Sequence, residues 1–245
     1  MSDAPTDLIA TRLARIPLFH DLTSAHLKLI AQVAQRRHVA RDAFFFQQGD
    51  TAVALHVLDS GQVRMTQLTS EGEQVILRFI RPGDIFGGAS AFGVKTYPAS
   101  AEATEDSAAL YWNAATMRDL FIRIPQLALN ALEHTAETIV QLQDRVRELQ
   151  TERVERRVAR ALLRLARQTG KRIENGVLID MPLSRQDLAE MTGTNLYSVS
   201  RILSAWEKQK FIETGRERIV LCVPHQLVII AEDLPSPQDS PKHSD

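Results

Sequence analysis

The sequence predicts an α+β protein: an N-terminal antiparallel β-roll, a long helix, and a C-terminal winged helix-turn-helix. Three observations carry this. Short β-prone runs separated by turn residues occupy most of the first half. From Leu127 to about Arg167 there is neither Pro nor Gly. Further on, a glycine turn joins two amphipathic segments and a basic hairpin follows.

The first helix is expected over Thr23 to Gln35, where Leu27, Ile30, Ala31, Val33 and Ala34 fall near helical spacing behind a Thr23 or Ser24 cap. The period then changes. Phe44–Phe46, Ala54–Leu58, Val63–Leu68, Val75–Ile80 and Ala108–Trp112 read as strands. Gln48-Gly49-Asp50, Asp59-Ser60-Gly61, Ser70-Glu71-Gly72 and Arg81-Pro82-Gly83-Asp84 read as turns. Strands this short and regularly spaced fit an antiparallel roll better than a parallel sheet.

In the long helix, Leu132, Ile139 and Val146 recur every seven residues, with Leu142 and Leu149 in a second row, as the a and d positions of a heptad seam. Thr135 takes one d slot and Arg153 the next a slot, so the seam fades near Gln150. Asp144, Arg145, Arg147, Glu148, Glu152 and Glu155 flank it, as expected for the solvated edges of a parallel two-chain seam. Burial of this helix within its own domain is the alternative. A second helix, Val154 to Gln168, stops at Thr169-Gly170, and Val177–Asp180 reads as a strand. The end of the chain is rich in Pro, Ser and Asp and is expected to be disordered.

Leu183 to Phe211 holds the most specific pattern. Ser184 and Asp187 stand at capping-box spacing ahead of a helix over Arg185 to Met191, and Gly193 supplies a tight turn. The next helix, Leu196 to about Lys208, collects Val199, Ile202, Leu203 and Trp206 on one face. That turns Tyr197, Ser198, Ser200 and Arg201 outward, the polar row that reading a DNA major groove requires. Phe211–Glu213 and Ile219–Val223 then flank Gly215-Arg216-Glu217-Arg218, a wing whose Arg216 and Arg218 suit backbone phosphates. Ser184 and Arg185, at the start of the first helix, complete the DNA-facing set.

Composition narrows the classes. Hydrophobic residues are 44% and charged residues 24% of 245, the balance of a globular protein. No apolar run approaches the ~18 residues of a membrane span, and the first fifteen residues have no apolar signal core, so a cytoplasmic protein is expected. Net charge is -1, but residues 152–232 hold 14 Lys/Arg against 10 Asp/Glu, and residues 1–151 hold 14 against 17. A basic C-terminal part suits phosphate contact. An enzyme is not expected: there is no phosphate-cradling loop, no zinc-spaced histidine pair, and no nucleophile elbow around Ser90.

From Ile16 to Glu232 the chain is similar to the CRP/FNR superfamily of bacterial regulators. The resemblance rests on Ile16-Pro17-Leu18-Phe19, Phe46-Gln47-Gln48-Gly49-Asp50, Leu58-Asp59-Ser60-Gly61-Gln62-Val63, Pro82-Gly83-Asp84-Ile85-Phe86-Gly87, Leu183-Ser184-Arg185-Gln186-Asp187-Leu188-Ala189 and Ser198-Val199-Ser200-Arg201-Ile202-Leu203. It implies a cyclic-nucleotide-binding-like β-roll as sensor, over residues 1–124 with the N-terminal helices. It further implies a dimerisation helix over 125–152, a winged helix-turn-helix over 153–232 and a disordered tail over 233–245. It implies a homodimer on a palindromic double-stranded operator, and contact with RNA polymerase as in the family's activators. A signal in the roll would repack it against the seam and reposition the recognition helices. Arg201 matches the arginine that reads a guanine and Ser200 the serine beside it in the FNR branch, whereas Tyr197 replaces a usual glutamate.

The resemblance also bears on the signal. Gly88 stands where cyclic-AMP-binding members carry glutamate, and Tyr97 or Pro98 where they carry arginine, so cyclic AMP is not expected. An iron-sulfur cluster needs four cysteines and only Cys222 is present. Tyr97–Ala103 and Leu196–Arg201 resemble nitric-oxide-responsive denitrification regulators, which makes haem a candidate, with His56 and His134 as axial nitrogens and His20, His26 and His38 in reserve. A ligand-free regulator controlled by abundance, and a sensor with a protein-contact output, are the alternatives.

Overall fold

A computed structural model describes residues 4–234, in two compact units that divide after Leu142. The tail expectation falls, from residue 235 on, outside the described residues.

The first unit opens with α1 (Ala4–Leu13) and α2 (Ser24–Gln32), the latter capped by Thr23, whose hydroxyl accepts from the His26 amide. Eight strands follow: β1 (Gln35–Val39), β2 (Phe44–Phe46), β3 (Ala54–Ser60), β4 (Val63–Leu68), β5 (Gln74–Ile80), β6 (Ile85–Phe86), β7 (Ser100–Ala103) and β8 (Ser107–Asn113). They form two antiparallel four-stranded sheets, β1-β8-β3-β6 and β2-β7-β4-β5, which is the expected roll. Then come α3 (Ala114–Arg123) and α4 (Pro125–Thr151), which continues across the division.

β3 explains the layering. Its first five residues are all buried, because both faces are covered. Leu55 and Val57 join the core built with Leu13, Phe19, Ile30, Met117 and Leu120 from the helices. Leu58 joins the roll interior with Phe45, Phe46, Ile80, Phe86 and Tyr97. Trp112 on β8 fixes α2 to the sheet by donating from Nε1 to the Ile30 carbonyl at 2.9 Å.

The helix expected to run to Gln35 ends at Gln32, and Gln35–Val39 is a strand that the sequence pattern does not mark. Four of the five β1 side chains are exposed, so no alternation marks Gln35-Arg36-Arg37-His38-Val39, and pairing with β8 makes it a strand. β7 was hidden by its small residues; Ala101 and Ala103 are fully buried, where the roll admits little more than a methyl group.

The second unit contains α5 (Val154–Thr169), β9 (Gly170–Ile173), β10 (Gly176–Ile179), α6 (Arg185–Thr192), α7 (Leu196–Lys208), β11 (Ile212–Gly215), β12 (Arg218–Leu221) and α8 (Pro224–Glu232). Its sheet runs β11-β12-β10-β9. β9 begins where the sequence marks only a helix stop. The sequence reading left α8 out; it starts on Pro224, and Leu227 and Ala231, one turn apart, face the core.

Candidate nucleic-acid interface

α6 begins on a capping box. The Asp187 amide donates to Ser184 Oγ at 3.0 Å, and the Ser184 amide donates to Asp187 Oδ2 at 2.8 Å. The Ser184 hydroxyl also donates to Asp187, so this side chain shapes the helix terminus rather than pointing outward. Gly193 ends α6 in the left-handed region at φ 58°, which a glycine adopts without strain. Asn195 caps α7, accepting from the Ser198 amide at 2.8 Å.

The faces of α7 separate as expected. Val199, Ile202, Leu203 and Trp206 are buried, and Trp206 donates to Glu155 Oε1 at 3.0 Å. Tyr197 is 76% exposed, Arg201 is exposed, and Ser198 and Ser200 are half-buried beside them. In the wing, Gly215 pairs with Arg218, so Arg216 and Glu217 form a two-residue turn with both arginines exposed. Arg185 is half-buried instead. Its guanidinium reaches Thr214 Oγ1 at 3.5 Å and lies near Glu207, whose carboxyl is held below its ordinary range by hydrogen bonds from Thr214 and then by Arg185. Arg185 therefore braces the base of the wing.

Two arginines hold the turn between α6 and α7: Arg157, to which the sequence pattern gives no role, and Arg145, expected as a solvated flank of the seam. Arg157 on α5 donates from Nε to the Thr192 carbonyl at 2.9 Å and from Nη2 to the Gly193 carbonyl at 3.3 Å. Arg145 on α4 donates to the Met191 carbonyl. These are end carbonyls of α6, which lack helical partners and carry the negative end of its dipole. Burial, then Arg164, lowers the Arg145 pKa from its usual value, yet the group remains a cation at neutral pH. We expect Arg157→Ala to cost about 1.5–3 kcal/mol of local stability. Faster hydrogen exchange at the Gly193 and Thr194 amides would report it; unchanged protection would remove Arg157 from this role.

The charges expected to flank the seam divide between solvent and the second unit. Asp144 and Arg147 are exposed and pair with each other at 2.9 Å. Glu148 is 8% exposed and bound by Arg164 at 2.8 Å, and Glu152 is bound by Arg160 at 3.1 Å. Glu155 serves Trp206. Glu148 and Glu152 are thus held by arginines of the second unit rather than standing on a solvated edge, whereas Glu155 is exposed. The seam residues are the reverse: Leu132, Ile139, Leu142, Val146 and Leu149 are each between 45% and 64% exposed, so α4 does not bury them within its own chain.

The two candidate effector histidines stand in different surroundings. His56 on β3 is 2% exposed, and burial, then Arg37, pushes its pKa down to about 4. Phe86 and Tyr111 stack near its ring, with centroids at 4.9 and 5.8 Å, while Phe45 and Phe46 lie at 5.9 and 5.7 Å. His134 on α4 is half-buried, and burial, then Arg78, lowers its pKa. A haem iron needs an open approach in the plane of its imidazole, wide enough for a macrocycle. At His56 the surrounding aromatic rings take that space, and a methyl group on Gly87 would already lie 3.1 Å from Nδ1. The residues around His56 do not fit a haem.

Residues 36–123 match the family model described as cyclic nucleotide-binding domain, and residues 156–228 the one described as Crp-like helix-turn-helix domain. The chain is 31% identical over 199 residues to the cyclic AMP receptor protein of Thermus thermophilus, covering 81% of this chain and 89% of that one. It belongs to the CRP/FNR family. It is 27% identical over 205 residues to the anaerobic regulatory protein of Bacillus subtilis, covering 82% and 86%. The solved structure of FixK2 from Bradyrhizobium japonicum matches with TM-score 0.72 and 25% identity, covering 83% and 98%.

As a CRP/FNR member the chain is a DNA-binding transcription regulator, and the relatives it matches are regulators rather than enzymes. Of Tyr97 and Pro98, the two residues that the resemblance sets against the arginine of cyclic-AMP-binding members, Tyr97 is buried, donating from its hydroxyl to the Ala54 carbonyl at 3.2 Å. Among the described residues no helix is long and apolar enough to cross a membrane.

Proposed function

We propose that two copies of this chain pair in parallel along α4 and read a palindromic operator in the cytoplasm. A chemical signal other than cyclic AMP enters through the β-roll. The observation that carries the dimer is the row of exposed apolar side chains at heptad spacing along α4, which no part of its own chain covers. Tyr197, Ser198, Ser200 and Arg201 enter the major groove, with Arg201 bidentate to a guanine. Arg216 and Arg218 rest on phosphates, while Ser184 and Arg185 set the helix terminus and wing that make these contacts. A signal that alters packing along α4 changes the spacing of the two recognition helices and the regulator's reach to RNA polymerase.

Arg201→Ala is expected to weaken operator binding by about 1–3 kcal/mol and to relax base choice at one position per half-site. Binding to a panel of singly substituted operators checks this. A uniform loss across the panel makes Arg201 a phosphate contact. The slope of log affinity against log salt should become shallower by about one unit per phosphate contact removed when Arg216 or Arg218 is replaced.

A further inference from the structure

The end of the β-roll next to His56 contains a cavity of about 500 Å³, within the usual range for small-molecule sites. Its lining includes Arg37, Phe45, Phe46, His56, Tyr97 and Tyr111. Three features distinguish it from an ordinary packing defect. Five of its ten lining residues carry aromatic rings, His56 among them, and Phe46 and Tyr97 stack at 3.7 Å between centroids. Nδ1 of the buried His56 has no hydrogen-bond partner, whereas buried polar atoms are ordinarily paired. And Gly87 keeps the space beside that nitrogen free of a side chain. A side chain there would meet Phe46 Cε1 at 3.0 Å, the Ala54 carbonyl at 3.1 Å and His56 Nδ1 at 3.1 Å, and all three residues line the cavity.

Charge sets the ligand's chemistry. The Arg37 guanidinium lies 5.9 Å from the centre of the Phe45 ring, and its hydrogen bond to the Phe44 carbonyl is long at 3.4 Å. Asp50, the carboxylate in the lining, accepts from the Gln47 amide at 2.8 Å. Arg37 is thus a cation at the edge of an aromatic box, with its charge available to an incoming anion.

We propose that this cavity binds a compact planar aromatic anion. Its ring lies among Phe45, Phe46, Tyr97 and Tyr111, its carboxylate meets Arg37, and a polar substituent reaches His56 Nδ1. Such a ligand satisfies the orphaned nitrogen, and the aromatic walls stack on its faces. This deepens the sensing half of the proposed function and rests on the β-roll being the sensor; it makes no use of the DNA-reading half.

The test is calorimetric titration of the full chain with 2-naphthoate and with its neutral analogue 2-naphthamide, alongside operator binding by the same preparations. We expect one saturable naphthoate site per chain, with naphthamide at least tenfold weaker. Arg37→Gln should bring naphthoate down to the level of the amide. Val53→Trp, which fills the cavity from an exposed wall position, should remove binding of both. His56→Phe should leave 2-naphthoate binding unchanged and weaken 6-hydroxy-2-naphthoate, which carries the second polar group, at least tenfold; because that position is buried, Arg37→Gln and Val53→Trp decide if it fails to fold. Absence of saturable uptake by the native chain, or uptake unchanged in Arg37→Gln and Val53→Trp, overturns the site. A protein that binds its operator yet takes up no naphthoate refutes the cavity alone. One that takes up naphthoate but binds no operator refutes the DNA-reading half alone.

Discussion

Replacing both Ile139 and Val146 with aspartate is expected to yield a folded monomer whose operator affinity falls by at least a hundredfold. Both side chains are about half exposed on α4, so aspartate there disturbs no intrachain core and each chain should fold normally. In a parallel dimer the same positions face their own copies. Four carboxylates would then enter an apolar seam, and an unpaired charge in such a place costs more than the seam can return. One recognition helix alone keeps only half of the contacts. Sedimentation and operator binding should therefore fail together, with circular dichroism unchanged. Persistence of the dimer would refute the seam, whatever happened to DNA binding.

The second large effect concerns acid. His56 has its pKa lowered from 6.5 to about 4 in the folded chain, so the unfolded chain binds more protons between those values. Its contribution is fully present above pH 6.5 and is lost progressively as pH falls towards 4, below which both states are protonated. The difference corresponds to roughly 3 kcal/mol. We expect the first unit to lose about that much stability between pH 7 and pH 4 relative to His56→Phe, which lacks the titration. Denaturation followed by Trp112 fluorescence in a Trp206→Phe background would read it. Parallel pH profiles for the two proteins would mean that His56 keeps its ordinary pKa.

Much of this molecule is written locally in the chain. The capping box at Ser184, the glycine at 193 and the apolar row from Val199 to Trp206 each declare themselves over a few residues, and the structure reproduces the helices they predict. What the sequence conceals is whatever depends on distant partners. β1 is a strand because β8 lies beside it, and Glu148 is buried because Arg164 meets it from another helix. Arg145 and Glu148 looked like solvated flanks for the same reason: sequence spacing locates a helical face but not what lies against it. The surroundings of His56 are the least legible. A lone histidine in a strand gives no sign of the aromatic rings that other strands bring around it.

Between residues 145 and 149, α4 answers to two masters in alternation. Arg145 and Glu148 are tied to the helix-turn-helix unit of their own chain, while Val146 and Leu149, the immediate neighbours of each, are left on the surface. An α-helix turns about 100° per residue, so gaining or losing one residue here would carry a clamp residue to the surface and an apolar one into the clamp. This stretch should tolerate substitution far better than any change in length. Libraries of insertions and deletions ought to show a gap across it as deep as any in the hydrophobic cores, although most of its side chains touch water.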